Sequence, residues 1–468
     1  MKQVLLIPAA CLALAGCAVG PDYVSPTPRA PAQTPFAGAA DPAFTPQEPP
    51  TQWWKLFEAP VLDRLVAEAL AANTDLRVAA ANLEQARAAL RETRAQRLPS
   101  TDVGASGGYG RVSGTTAGVA GPGPEGETYD VGLDVSYQLD LFGRIRRGIE
   151  ASRADFEAAQ ASYDLARISV AAETARAYAD ACGAGRQVAV ARETLRVQEQ
   201  TFDLTRRQFE GGRGTALDTS RAAALLEQIR ADVPTLEAER KAALYRLSVL
   251  TGKPPAEFPA DVADCTVPPA LATAIPVGDG ASLLARRPDV RASERRLAAA
   301  TARVGVATAD LYPSVSLGGS IGATAASAGD LFSDRGLRFS LGPLISWSFP
   351  NIGAARARIA QAEAASQGAL AAFDGAWLGA LEESESALAR YAAERERLAT
   401  LTRSRDQSAE AARIARLRYQ AGAESFQIVL DAERSLAAAE ALLAASQAQF
   451  SDRAITLFLA LGGGWQDR

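Results

Sequence analysis

The most regular pattern in the chain is a two-residue alternation. Tyr129, Val131, Leu133, Val135, Tyr137, Leu139 and Leu141 alternate with Thr128, Asp130, Gly132, Asp134, Ser136, Gln138 and Asp140. That period places apolar side chains on one face of a strand and polar ones on the other. The Gly/Ser-rich run from Thr101 to Ser113 precedes it across a Gly/Pro loop, Gly114 to Gly126, so the two segments predict a hairpin. The pattern returns later in the chain. Val315, Leu317 and Ile321 alternate with Ser316, Gly318, Ser320 and Gly322, and a return strand carries Leu337, Phe339, Leu341, Ile345, Trp347 and Phe349. Pro343 has no N–H for a ladder, which predicts an edge, a bulge or a bend there. Strands of about 9 to 13 residues are long enough to cross a bilayer. The small and acidic face suits a watery lumen, although a half-buried sheet in a soluble protein has the same alternation.

Between the hairpins the period changes to that of helices. From Arg144 to Glu210 only Gly148 and Cys182-Gly183-Ala184-Gly185 interrupt a helix-compatible run, which at 1.5 Å per residue is roughly 100 Å of rod. Val188, Leu195, Phe202 and Phe209 fall at sevenfold spacing. Ala222, Leu226, Ile229, Val233, Leu236, Ala243, Leu247 and Leu250 follow a 4-3 alternation broken by Arg240. Val429, Leu436, Leu443, Phe450 and Leu457 repeat every seven. The residues between are mostly alanine, which lets helices approach closely. Pro234 predicts a kink.

The elements occur twice. Asp75-Leu76 ahead of Leu98-Pro99-Ser100 matches Asp289-Val290 ahead of Tyr312-Pro313-Ser314, 214 residues on, and Phe209-Glu210-Gly211-Gly212 matches Tyr419-Gln420-Ala421-Gly422, 210 residues on. Each unit reads as a helix (about Pro60 to Leu98, then about Ala281 to Leu311), a Pro break, a hairpin, a very long helix, a Gly-marked turn and a return helix. The boundaries expected are a signal peptide at 1–16, a lipid-anchored tether at 17–55, a first repeat at 56–255 with its hairpin at about 101–142, a linker at 256–280, a second repeat at 281–462 with its hairpin at about 314–349, and a tail at 463–468.

Composition narrows the chemistry. The 468 residues contain no histidine, and the net charge is −5. Histidine relays and ligands are thereby excluded, and with no phosphate-binding loop or catalytic constellation the chain is expected not to be an enzyme and to need no metal or soluble cofactor. The acidic balance argues against a nucleic-acid partner. Lys2, the apolar run Val4 to Leu14 and Leu14-Ala15-Gly16-Cys17 resemble a lipoprotein signal, too short for a membrane span. Cleavage would leave Cys17 as the acylated first residue, and Ala18 after it favours the outer membrane by analogy with lipoprotein sorting. Val19 to Pro50 reads as an extended tether. Cys182 and Cys265 could pair in an oxidising compartment; the reading of one as mid-helix and the other as loop favours two unpaired thiols.

An open sheet in lipid must close, and four strands cannot enclose a pore, whereas twelve from three chains can. At this point the chain resembles a family. Gly16-Cys17-Ala18-Val19-Gly20-Pro21-Asp22-Tyr23, Trp53-Trp54, Leu139-Asp140-Leu141-Phe142-Gly143-Arg144, Arg287-Pro288-Asp289-Val290 and Leu311-Tyr312-Pro313 look like the TolC-like outer-membrane factors, in the lipoprotein branch serving RND-type efflux pumps. The resemblance implies a mainly α chain with membrane β. It implies a homotrimer with a twelve-stranded barrel continued by a helical coiled-coil barrel, a periplasmic adaptor and an inner-membrane RND transporter as partners, and outward passage of drugs or other small toxic solutes. It places the periplasmic tips, where the adaptor docks, at Gly212 and Gly422, and a closed gate at Asp431, Arg434 and Tyr419. Gln427 stands where an apolar gate residue is common. The second copy would do the closing, because Arg221 and Ala224 of the first copy stand opposite Asp431 and Arg434. Two other readings share parts of this pattern: a duct for exported proteins (type I secretion), and a coiled-coil lipoprotein without a pore.

Overall fold

The structure, a computed structural model, describes residues 18–26, 36–115, 118–280, 283, 286–347, 349 and 352–463. The signal segment 1–16, Cys17 and most of the tail lie outside the described residues. The chain forms two compact units, and each takes segments from both sequence repeats: Met1–Pro26, Leu83–Ala159 and Ser293–Phe373 in the first, and Thr27–Asn82, Gln160–Ala292 and Asp374–Arg468 in the second. The elements in chain order are β1 (Phe44–Thr45), α1 (Pro60–Ala72), α2 (Thr74–Ala95), β2 (Ser100–Arg111), β3 (Glu125–Leu139), α3 (Arg144–Glu210), α4 (Ala216–Leu250), β4 (Ile275–Pro276), α5 (Pro288–Ala309), β5 (Ser314–Ala325), β6 (Leu337–Ser346), α6 (Ile352–Gln420) and α7 (Phe426–Ala460). Short helical turns punctuate the loops.

The first unit is organised by one antiparallel sheet of order β2-β3-β5-β6. Its register aligns the apolar positions of all strands. Leu133 pairs with Val103 and Ile321, Ile321 with Phe339, and Val131 with Ala323, which pairs with Leu337. The other face aligns Asp134 with Asp102 and Ser320, and Asp130 with Ser106 and Thr324. Arg338 reaches Asp130 at 2.8 Å across that polar face. Among the described residues nothing covers the apolar face, where Phe339 and Leu341 are 81% and 84% exposed. Pro343 pairs with Leu317 in an unbroken register on the edge strand β6, so the edge explains it and neither bulge nor bend is needed.

The amino-terminal residues of this unit are less free than a tether. Val19 N donates to Phe142 O at 3.2 Å. Buried Arg147 pairs with Asp22 at 2.6 Å and Glu150 at 2.8 Å, and donates to the carbonyls of Val19 and Gly20. The Tyr23 hydroxyl donates to Glu294 at 2.8 Å beneath the Arg295 guanidinium. Burial and that carboxylate push the phenol up to about 12. Gly20 has φ +90°, and a Cβ there would fall 2.4 Å from Gly305 Cα. The Gly-Pro-Asp-Tyr motif is therefore a docked strap, contrary to the expectation from its Pro-rich composition. The second unit holds another correction to the tether, because Phe44 is buried and β1 pairs with β4.

The core of the second unit is built around Trp53, which is fully buried and stacked on Phe458 at 5.0 Å. Alanines of α3 (Ala171, Ala172, Ala175, Ala181) and Leu247, Leu388 and Leu457 complete it. The first predicted helix is two. Asn73 breaks it by accepting from the N–H groups of Asp75 and Leu76 and donating to Leu250 O at 3.1 Å. A side chain that caps α2 while tethering α4 outweighs a continuous helical period. Helix α4 runs on past Pro234.

Cys182 and Cys265 form a disulfide, against the expectation of two thiols. The segment read as a linker is stitched to α3, with Val262, Ile275 and Val277 buried. The flanking glycines make this approach possible: a Cβ on Gly185 would lie 2.0 Å from Cys265 O, and one on Gly183 2.7 Å from the Ala448 methyl. The bond spans 83 residues of sequence, and loop-closure entropy for a loop of that size is about 4 kcal/mol. Replacing both cysteines by alanine is expected to lower stability by that order, read by thermal unfolding; an unchanged midpoint would mean that packing alone holds the segment.

The Arg287-Pro288-Asp289 motif closes the same unit. Buried Arg287 bonds Asp289 and Glu383 at 2.6 and 2.7 Å and donates to Ala460 O, the last carbonyl of α7, at 2.9 Å. Ser384 donates to the same carbonyl. One guanidinium thus satisfies a helix end and joins the start of α5 to α6.

Candidate functional site: the helix tips and the face of α7

Both helical hairpins turn in the same way. Gly212 has φ +71° and Gly422 φ +70°, with nothing within 4 Å of where a Cβ would be. Gly212 N bonds Phe209 O and Arg213 N bonds Gln208 O, and in the second copy Gly422 N bonds Tyr419 O and Ala423 N bonds Arg418 O. These are left-handed glycine C-caps with the paired bonds that satisfy the last carbonyls of α3 and α6. Glycine is required for its backbone, since the space is open. The copies differ one step later. Thr215 caps α4 by accepting from Asp218 N at 3.1 Å, whereas Ser425 makes no side-chain cap for α7.

Behind the turns, Ala222, Leu225, Ala415, Phe426, Val429 and Leu430 are buried together. Tyr419 packs its ring 5.5 Å from Phe426 and donates its hydroxyl to Gln208. Burial and Asp218 raise its phenol above the ordinary value. The tyrosine therefore joins α6 to α3 and is not brought to Asp431 within the chain.

Helix α7 has two faces here. Phe426, Val429, Leu430 and Glu433 are buried, while Gln427, Asp431 and Arg434 lie one turn apart on an exposed stripe. Asp431 and Arg434, one turn apart, do not pair with each other. Among the described residues neither side chain meets an opposite charge, and Asp431 contributes only its carbonyl, to Ser435. Within one chain both side chains are left to solvent.

Glu433 was not legible as a site residue. It is 6% exposed, accepts from Thr201 of α3, and lies 3.2 Å from Arg416 of α6, so one carboxylate ties three helices behind the stripe. Seven residues on, Thr194 and Glu440 repeat the contact. Burial raises the Glu433 carboxyl above the ordinary range, against the opposing pull of Arg416 and Thr201. The folded tip then binds this proton more tightly than the unfolded chain, so its stability falls as pH rises from the ordinary carboxylate value through the raised one. Glu433→Gln keeps the acceptor for Thr201 and sets an uncharged amide oxygen, in place of the carboxylate, before Arg416 Nε. Slower amide exchange over residues 426–440 is expected at neutral pH, with the difference vanishing in acid. Equal exchange at both pH values would remove Glu433 from this role.

A four-stranded sheet with one apolar and one polar face, its edges unpaired among the described residues, whose strands run on into helices of 67 and 69 residues, has the make-up of membrane strands joined to long helices. Residues 65–253 and 281–463 match the outer membrane efflux protein family, and the chain belongs to that family. It is 33% identical over 468 residues to outer membrane protein OprJ of Pseudomonas aeruginosa, covering 97% of this chain and 95% of the relative. It is 30% identical over 462 residues to nodulation protein T of Rhizobium leguminosarum bv. trifolii, covering 97% and 96%. Among solved structures it matches the outer-membrane channel OprN with a TM-score of 0.91 at 40% identity, over 96% of this chain and all of that one. The mainly helical fold with membrane strands is thus that of outer-membrane channels, and the protein is an efflux channel of the outer membrane.

Proposed function

We propose that three copies assemble into the exit duct of a tripartite RND-type pump, with a twelve-stranded barrel in the membrane and a helical tube in the periplasm, passing drugs or other small toxic solutes outward. The observation that carries this is the sheet. The outer sides of both edge strands, β2 and β6, are unpaired among the described residues, which lipid does not tolerate. About ten residues of aligned strand, tilted as barrel strands are, make an apolar band near 25 Å tall. Cys17 carries the lipid on this reading. The turns at Gly212 and Gly422 meet a periplasmic adaptor, and Asp431, Arg434, Gln427 and Tyr419 belong to a gate that three copies of α7 form around the axis. The partner that each exposed Asp431 lacks in its own chain is then Arg434 of a neighbour. Native mass spectrometry of the full-length protein tests the assembly: a particle of three chains, each carrying acyl groups on its amino-terminal peptide, is expected, and a monomer would refute it.

A further inference from the structure

The strands of the first unit end at a crevice of about 350 Å³ that the gate and the barrel leave unused. We propose that it binds the phosphodiester head group of an anionic phospholipid in the periplasmic leaflet; the assignment rests on the outer-membrane reading above.

Three observations converge on it. First, the crevice lies where the apolar face stops. Leu139, the last residue of β3 and one of the odd-numbered positions of that face, and Trp347, just past β6, line it. Aromatic rings gather at this level: Phe142 stacks on Tyr312 at 4.5 Å, and Trp347 lies 5.1 Å from Phe349 while donating its indole N–H to Leu311 O. Rings with an apolar body and a polar tip favour the boundary between acyl chains and water.

Second, the crevice holds guanidinium donors to spare: its two carboxylates are Asp140, already held by Arg146 at 3.3 Å and by the N–H groups of Ile145 and Arg146, and Asp310. Arg144 and Arg358 each approach a different oxygen of Asp310 at 3.6 Å, from opposite repeats of the sequence. One carboxylate therefore faces two guanidiniums. Neither makes a hydrogen bond among the described residues, and their side chains are 54% and 65% exposed. A planar guanidinium has five N–H donors matched to phosphate oxygens. A phosphodiester between them would complete the charge that Asp310 half neutralises, with its acyl chains over the apolar strands and its glycerol beside Trp347.

Third, the chain itself marks the head-group layer. A Cβ on Gly143 would fall 2.7 Å from Ala18, and Val19 N bonds Phe142 O, so the residues after Cys17 are fixed at this same junction. An acyl group on Cys17 would enter the membrane there, among phospholipid head groups.

The test uses full-length protein exchanged from detergent into vesicles of phosphatidylcholine with or without phosphatidylglycerol, with retained lipid counted by native mass spectrometry. Wild type is expected to keep phosphatidylglycerol in preference to phosphatidylcholine. Arg144→Gln and Arg358→Gln should each cut retention about fivefold, the scale for a basic residue near an anionic surface. Asp310→Asn should raise it, a gain that mere loss of structure cannot give, and an unchanged particle mass shows that each variant still assembles. Equal retention by wild type and the double arginine variant, or of the two lipids, overturns the proposal. So does displacement of the lipid by millimolar inorganic phosphate, which would make this a free-anion site. Failure of the duct reading would appear separately, as a particle that is not three chains.

Discussion

Replacing Asp431 and Arg434 together by alanine is expected to raise single-channel conductance several-fold and to sensitise cells to antibiotics that the outer membrane normally excludes. The double substitution removes one negative and one positive charge per chain, so the net charge along the axis is unchanged. A gain in conductance then reports the release of contacts rather than an altered field. The structure sharpens this expectation. Both side chains are exposed and, among the described residues, unpaired, on the face of α7 opposite the buried cluster of Phe426, Val429 and Leu430. On the proposed gate reading their partners come from other copies, so either single substitution should give most of the effect of the double one, the non-additivity expected of residues that act as a pair. Conductance that is unchanged in the double variant would take Asp431 out of the gate.

The second large effect is expected far from the stripe. Arg287→Ala should destabilise the second unit by about 3 kcal/mol, in the range for breaking a buried, hydrogen-bonded ion pair. The substitution removes the donor to Ala460 O and leaves Asp289 and Glu383 without their shared cation. Arg287→Lys retains the charge but cannot reach a carbonyl and two carboxylates at once, so it should recover only part of the loss. Denaturant unfolding of the full-length protein measures both. A variant as stable as wild type would show that the packing of Trp53 on Phe458 suffices to hold this end of α7.

Much of the architecture was legible because it rests on periodicity and on a few residues with forced conformations. The hairpins follow from strict alternation, the long helices from the scarcity of breakers, and the tips from two glycines that adopt positive φ. What escaped reading depends on side chains acting at a distance in sequence. Asn73 breaks a helix because it bonds Leu250, and nothing local announces that. The disulfide required the loop around Cys265 to approach α3 at Gly185, where only the absence of a Cβ allows it. The segment read as a tether is held by Arg147 and Glu294, more than a hundred residues away. On α3 the sevenfold apolar positions were overvalued. Gln198 and Thr205 are 2% and 1% exposed, whereas Phe209 is 45% exposed. In a tube wall the buried seam need not be the apolar one, and polar residues such as Thr201 and Glu433 join helices where a globular core would use leucine.

At the stripe, the resemblance implies a gate at Asp431 and Arg434, and the structure puts these two with Gln427 on one exposed face. Tyr419, which the resemblance also assigns to the gate, joins α6 to α3 through Gln208 within the chain. Within the chain, then, the tyrosine and Glu433 stiffen the wall behind the stripe, and the stripe itself faces outward.

The central claim, that copies of this chain enclose a pore closed at its periplasmic end, is tested most directly by recording from the purified full-length protein in planar bilayers. Discrete conductance steps are predicted for the wild type, small and with long closed periods, growing in amplitude in the Asp431→Ala, Arg434→Ala variant. Bilayers that remain silent with both proteins, each inserted and shown to be a particle of three chains, would contradict the claim and leave a coiled-coil lipoprotein without a channel.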